Sequence, residues 1–167
     1  MKYNFWVRQA HKALGFFIII QFPFGIATYY KLLPDWLVDL HRSFGYVALI
    51  LVVFLITIRF IKPNVPYNPK LSILNYILAK MVHIGLYISI LGMSLTGIIA
   101  SIFSAHERKI FYLIPVPQIP NHTNLSSYIF SFHIFFAYML GICFVLHILA
   151  VLYHKILLKD NVLSRMR

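Results

Sequence analysis

Four long runs of apolar residues dominate the sequence, and each is long enough to cross a membrane as a helix. The runs lie at about residues 13–30, 40–61, 81–103 and 128–153. A helix needs about 20 mostly apolar residues to cross a hydrocarbon core about 30 Å thick. In lipid the backbone must satisfy its own hydrogen bonds, which a helix does within one segment. The sequence therefore predicts an all-α integral membrane four-helix bundle.

Composition argues against an ordinary soluble domain. Of the 167 residues, 11% are charged and four are acidic, whereas a soluble globular chain carries about a quarter charged residues. Between the apolar runs lie polar stretches, the clearest being the proline-rich connector 62–70 and the interval 106–127. Because four spans take up most of the chain, we predict a single domain over residues 1–167.

The first apolar run is predicted to remain in the protein as a helix rather than to act as a signal peptide. Gln21 and Pro23 interrupt its apolar stretch. No cleavage site of small residues follows it, as a secretory signal would require.

The net charge of +11 is distributed as in a membrane protein. No run of Lys and Arg is dense enough to follow a phosphate backbone, so we expect no nucleic acid partner. Four spans bring both termini to one side, and eleven of the 15 basic residues lie on that side. They are Lys2, Arg8, Lys12, Arg59, Lys62, Lys70, Lys80, Lys155, Lys159, Arg165 and Arg167. The positive-inside rule therefore predicts cytoplasmic termini for a multi-pass membrane protein surrounded by lipid.

Five of the eight histidines lie at or inside the apolar runs, and such positions usually mark function because an ionisable group in a membrane is costly. They are His11, His41, His83, His133 and His147. His133 and His147 lie on one predicted helix, 14 residues apart. That spacing returns to within about 40° of the same direction after a rise of about 21 Å. The two imidazoles are therefore predicted to point from one helix face at opposite membrane levels.

Four of these histidines are predicted to form two pairs, each at one depth in the membrane. His11 begins the first helix on the cytoplasmic side, level with His147, and His41 begins the second helix on the periplasmic side, level with His133. Each pair supplies two neutral imidazoles from different helices, which is a ligand set for a six-coordinate haem iron. We therefore predict two haem b groups. A zinc site is disfavoured because the levels are too far apart to share one ion.

Small residues next to these histidines fit the same hypothesis. Gly15 and Gly45 follow His11 and His41 by four residues, which places each glycine beside its histidine on the helix face. A glycine there leaves space for a flat macrocycle. The alternative is ordinary small-residue packing between membrane helices.

Three further residues are candidates near the cytoplasmic side. His83 and His154 could line a quinone pocket, where an imidazole hydrogen-bonds a carbonyl or relays a proton. Arg59 could pair with a haem propionate. The alternatives are interfacial histidines and an ordinary interfacial positive charge.

The histidine pattern resembles the bacterial cytochrome b561 family, the short di-haem b membrane proteins. The similarity extends over nearly the full length and reaches the tail at residues 159–166. The matching positions are His11, His41, His83 with Gly97, and the pair His133 and His147.

This resemblance implies a membrane oxidoreductase of electron transport. Members of the family have been described as superoxide oxidases, which pass electrons from superoxide to ubiquinone. By position, the resemblance assigns His11 and His147 to a haem b on the cytoplasmic side, and His41 and His133 to a haem b on the periplasmic side. These four histidines would be the axial ligands of the two irons.

The resulting hypothesis places the two substrates at opposite membrane faces. Arg42, Arg108 and Lys109 could attract superoxide at the periplasmic haem. Ubiquinone would be reduced on the cytoplasmic side near His83 and His154.

Two alternatives remain open. The first is a b-type electron-transfer subunit of a larger respiratory complex, similar to those of hydrogenases and formate dehydrogenases, without catalysis of its own. The second is a histidine-lined metal or proton transporter without haem, which is disfavoured because no acidic residue lies within a span.

Overall fold

The structure is a computed structural model of the chain. The residues it describes are 2–62, 72–104, 107–119, 122–159 and 162–166. Residues 63–70 of the predicted proline-rich connector lie outside these ranges, as do three residues of the tail, Asp160, Asn161 and Arg167.

Within the described ranges, four helices are long and apolar enough to cross a membrane. They are α1 (Phe5–Tyr29), α2 (Asp35–Ile61), α3 (Ile73–Ile102) and α4 (Thr123–Ile156). The predicted four-helix membrane bundle is therefore confirmed.

The helices begin earlier than the apolar runs, and polar side chains cap two of them outside the apolar stretch. The Asn4 side chain accepts a hydrogen bond from the Trp6 backbone N–H at 3.0 Å and starts α1. The Ser72 hydroxyl accepts one from the Asn75 N–H at 3.2 Å and starts α3. A criterion based on apolar length does not detect these caps, so the predicted spans are shorter than the helices.

The helix pairs of the described residues pack unequally. The backbones of α3 and α4 pack most extensively, and α2 lies against both α1 and α3. Glycines bring α3 close to α4, since a Cβ on Gly92 would lie 2.5 Å from Phe136 Cε2 and one on Gly85 would lie 2.7 Å from Cys143 Sγ. The approach of α1 to α4 depends mainly on side chains.

Apolar side chains occupy both the interior and the exterior of the bundle. Val52 and Leu55 of α2 are fully buried, and they belong to a cluster that includes Leu14, Ile90 and Leu140 from the other helices. Large apolar side chains on the outer faces are exposed, as lipid-facing positions of membrane helices are.

A short β-hairpin covers one end of the bundle. Strands β1 (Lys109–Ile110) and β2 (Ile114–Pro115) pair antiparallel between α3 and α4. The Phe111 backbone N–H donates to Ser43 Oγ at 2.8 Å, and the Tyr112 hydroxyl donates to the Trp36 carbonyl. These bonds attach the hairpin to the start of α2, and we call this the hairpin end.

The two ends of the chain meet at the other end of the bundle, which we call the terminal end. A 3₁₀ turn, η1 (Val162–Met166), packs against α4. The Tyr3 backbone N–H donates to the Arg165 carbonyl at 3.1 Å. The segment before α1 is therefore joined to the segment after α4.

Candidate functional site

Three histidines from three helices meet near the terminal end. The rings of His11 on α1 and His147 on α4 lie 6.1 Å apart between centroids, at an angle of 58°. His83 on α3 packs edge-on against His147, with 5.0 Å between centroids and an angle of 86°. The sequence predicted the approach of His11 to His147, whereas the contact of His83 with His147 was not foreseen.

The distance between His11 and His147 fits one metal ion between the two rings. An imidazole nitrogen binds a metal at about 2 Å, so an ion shared by two rings would separate their centroids by about 6 Å. The 6.1 Å observed is close to this value. His83 is held by its own helix, because its Nδ1–H donates to the Ala79 carbonyl at 2.6 Å.

An arginine with unused hydrogen-bonding capacity lies beside this cluster. The Arg59 guanidinium stacks over the Tyr3 ring at 5.0 Å and is close enough to His11 for their charges to interact. Its Nε is buried and has no hydrogen-bond partner among the described residues. Because a buried N–H without an acceptor is costly, this atom suits an anionic group such as a propionate.

At the hairpin end, His133 of α4 lies near His41 of α2 and is oriented by α3. The two imidazoles are close enough for their charges to interact. His133 Nδ1–H donates to the Met93 carbonyl at 2.8 Å, and the Phe130 ring stacks on the imidazole at 5.5 Å. A proton on Nδ1 leaves the lone pair of Nε2 available, as a metal-binding histidine requires.

His41 is held by α1. Gln21 Nε2 lies 2.8 Å from His41 Nδ1 and 2.7 Å from the His41 carbonyl oxygen. The Phe24 ring meets the imidazole edge-on, with 5.9 Å between centroids. In the sequence, Gln21 stands out only as an interruption of an apolar run. A polar side chain inside a membrane span was the signal that could have revealed this contact.

His41 and His133 each pack against a glycine of a neighbouring helix. A Cβ on Gly25 of α1 would lie 2.9 Å from His41 Cε1, and one on Gly97 of α3 would lie 3.0 Å from His133 Nδ1. Both distances are shorter than ordinary van der Waals contact. The resemblance singled out Gly97, whereas Gly25 was not recognised.

Gly15 and Gly45 differ from Gly25 and Gly97, because a Cβ on either would have no atom within 4 Å. Each follows a candidate ligand by one helical turn. The space beside His11 and His41 is therefore open, which fits a planar group next to each imidazole. Together with the His11–His147 distance and the unpaired Arg59 Nε, this space makes the chain suited to haem.

A cluster of charged residues lies at the hairpin end. Arg42 and Arg108 both contact Asp39 Oδ1, at 2.9 Å and 3.3 Å. With Lys109 and Ser43 they line a small cavity under the hairpin. Burial and the neighbouring Arg42 charge lower the pKa of Arg108, and Asp39 partly opposes this shift. The three basic side chains outnumber the two carboxylates that act on them, Asp39 and the more distant Asp35.

The remaining quinone candidate, His154, lies two turns beyond His147 on α4. Its ring meets Tyr153 edge-on, with 5.8 Å between centroids. Its predicted partner, His83, is part of the cluster with His11 and His147. A quinone pocket shared by His83 and His154 stays a prediction.

Comparison with known proteins agrees with the pattern of histidines. The sequence profile of a family described as prokaryotic cytochrome b561 matches residues 2–167. A curated relative from Yersinia pestis, described as a probable superoxide oxidase CybB, is 30% identical over 132 residues. That alignment covers 78% of this chain and 74% of the relative.

Proposed function

Because the chain belongs to the prokaryotic cytochrome b561 family, we propose that it carries two haem b groups and transfers electrons from superoxide to ubiquinone. Membership of this family makes it a multi-pass b-type cytochrome of the bacterial inner membrane. The observation that carries the finer proposal is the pair His11 and His147, whose rings from different helices lie 6.1 Å apart. When bound, the haems would supply one-electron chemistry, and the chain would supply ligands, substrate sites and protons.

The proposed ligands form two pairs. His11 and His147 would hold one haem iron near the terminal end, and His41 and His133 would hold the other near the hairpin end. Two protein ligands on each iron leave no open coordination position, which favours electron transfer over oxygen binding. Arg59 would pair with a propionate through its buried Nε.

The orientation proposed for the bundle follows the distribution of charge. Eleven of the 15 basic residues belong to the side that carries both termini. The positive-inside rule then places the terminal end in the cytoplasm and the hairpin end in the periplasm.

The positive cluster at the hairpin end supports superoxide as the electron donor. Arg42, Arg108 and Lys109 would attract the anion to the surface near His41, and Asp39 would hold both guanidinium groups in place. Each superoxide that gives up one electron leaves as dioxygen. The name of the Yersinia pestis relative supports the same substrate class.

The histidines at the terminal end support a quinone as the acceptor. One quinone takes up two electrons and two protons to become a quinol, so two superoxide ions are oxidised for each quinone reduced. His83 and His154 are proposed to hydrogen-bond the quinone oxygens and to pass protons from the cytoplasm.

The test begins with the purified protein in detergent or liposomes. A pyridine haemochrome assay is expected to find two haem b groups per chain, and an enzymatic source of superoxide is expected to drive ubiquinone reduction. Absence of haem would overturn the proposal. Two haems without superoxide-dependent reduction would instead favour the electron-transfer subunit of a larger complex.

A further inference from the structure

Gln21 is a polar side chain within a membrane helix, and its amide contacts a candidate haem ligand on another helix. Its Nε2 lies within hydrogen-bonding distance of two atoms of His41, namely Nδ1 and the carbonyl oxygen. A primary amide without hydrogen-bond partners in an apolar environment is strongly destabilising. The contact with His41 therefore accounts for the presence of a glutamine in the apolar run of α1.

The hydrogen-bond roles in this contact are determined by the atoms involved. An amide nitrogen only donates, so His41 Nδ1 accepts from it through a lone pair. A neutral imidazole that accepts at Nδ1 carries its proton on Nε2. That tautomer cannot bind iron through Nε2. His133 already has the opposite tautomer, because its Nδ1–H donates to the Met93 carbonyl.

With its oxygen rather than its nitrogen at His41 Nδ1, the same amide would support the ligand tautomer of His41. A primary amide presents an acceptor and a donor side by side. His41 in its ligand tautomer presents a matching donor, Nδ1–H, and a matching acceptor, its carbonyl oxygen. The Gln21 oxygen could therefore accept from Nδ1–H while the NH₂ group keeps its bond to the carbonyl.

We propose that Gln21 is the positioning residue of His41, with its amide oxygen accepting the Nδ1 proton when His41 binds haem. This inference rests on the proposed function, since it assumes that His41 is a ligand. Phe24 and Gly25 of α1 also contact the His41 ring and limit its movement. The first helix thus serves both haem sites, with His11 as a ligand in one and Gln21 behind the ligand in the other.

The proposal has a consequence for one redox potential. An acceptor on Nδ1–H makes the imidazole a stronger electron donor, which favours ferric iron. Loss of the acceptor is therefore expected to raise the midpoint potential of the haem at the hairpin end. The other haem lies near the opposite end of the bundle and is expected to keep its potential.

The test compares two substitutions at Gln21 in the full-length protein. Gln21→Met keeps a side chain of similar length without hydrogen bonds. Gln21→Glu keeps the arrangement of acceptor and donor when its carboxyl is protonated. Thr28→Val is the matched control, because the Thr28 hydroxyl donates to the Phe24 carbonyl of its own helix at 3.0 Å. The measurements are haem content and a spectroelectrochemical titration of both haems.

In Gln21→Met one haem is expected to show about a tenfold lower ferric-to-ferrous ratio at a fixed potential. For a one-electron couple this corresponds to an upward shift of about 59 mV. Gln21→Glu is expected to leave that potential at or below the wild-type value, and Thr28→Val is expected to leave both unchanged. Loss of one haem from Gln21→Met but not from Gln21→Glu would also support the proposal.

Two results would overturn the inference. The first is two haems in Gln21→Met with both potentials unchanged. The second is the same upward shift, or the same haem loss, in both Gln21 variants, which would indicate a role in packing only. Wild-type protein without haem would instead refute the proposed function, so the two failures are distinguishable.

Discussion

At the scale of single residues, the two candidate haem sites differ in how completely their histidines are oriented. His133 is fixed by a hydrogen bond to the Met93 carbonyl and by the stacked Phe130 ring. His147 has two imidazole neighbours, His11 and His83. The terminal-end site therefore contains one more histidine than a bis-histidine haem needs. Mutagenesis can identify which two of the three histidines bind the haem.

We predict that His11→Ala and His147→Ala each lose one haem, whereas His83→Ala retains two. The reason is that the ring centroids of His11 and His147 are separated by 6.1 Å, whereas His83 packs edge-on at 5.0 Å. Haem content per chain, measured as the pyridine haemochrome, checks this prediction. Loss of haem in His83→Ala together with retention in His11→Ala would assign the ligand role to His83.

A second prediction concerns the glycine beneath His133. In Gly97→Ala the new Cβ would lie 3.0 Å from His133 Nδ1 and would displace the ring from the Met93 carbonyl. Disturbing a bond that orients a metal ligand costs about 10- to 100-fold in affinity. We therefore expect about one haem per chain after purification.

The matched control for Gly97→Ala is Thr96→Val, at the adjacent position of α3. The Thr96 hydroxyl donates to carbonyls of its own helix, those of Gly92 and Met93. Two haems are expected in this variant. Two tightly bound haems in Gly97→Ala would show that the His133 ring can move without loss of the site.

At the scale of secondary-structure elements, the hairpin between α3 and α4 brings charges from two parts of the chain together. β1 lies against α2, and this contact sets Arg108 beside Asp39 and Arg42. Apolar periodicity does not predict a two-stranded hairpin of four paired residues, because short strands carry little pattern. Arg42, Arg108 and Lys109 were selected from sequence by charge alone, without evidence that they meet.

We predict that Arg108→Gln lowers the rate of superoxide-dependent ubiquinone reduction by about tenfold at low ionic strength. The physical reason is the loss of one positive charge beside the donor site. The difference should shrink in high salt because ions in solution screen the attraction between the protein and an approaching anion. Rates measured at several salt concentrations check the prediction. Lys155→Gln, with the same change of charge on an exposed residue near the opposite end, is the control.

At the scale of the whole molecule, two histidine clusters lie near opposite ends of a four-helix bundle. α4 contributes His133 to one cluster and His147 to the other, and α1 contacts both through Gln21 and His11. Such an arrangement suits transfer of electrons across a membrane rather than along its surface.

The proposed orientation of the bundle predicts which residues a reagent outside the membrane can reach. Leu113, at the tip of the hairpin, is 81% exposed. In intact spheroplasts, Leu113→Cys is expected to react with a membrane-impermeant maleimide, whereas Lys159→Cys is expected to react only after lysis. The native Cys143 is half-buried within α4, and the wild-type chain serves as the background control. The reverse labelling pattern would place the termini in the periplasm.

Much of the architecture could be predicted from the sequence because it depends on local properties. Apolar length identified the four membrane helices, and the spacing of His133 and His147 on one helix needs only helix geometry. Family membership was also recognisable from histidine positions, and the profile match over residues 2–167 confirms it.

The tertiary structure decided which side chains meet across helices. Contacts between Gln21 and His41, between Gly97 and His133, and between His83 and His147 join positions far apart in the sequence. They depend on the rotation of each helix about its axis and on how closely neighbouring backbones approach. Hydropathy specifies neither quantity, since lipid-facing and core-facing residues of a membrane helix are similarly apolar. Sequence alone therefore determined the membrane helices and the positions of the histidines along them, whereas only the packed bundle determined what orients each imidazole.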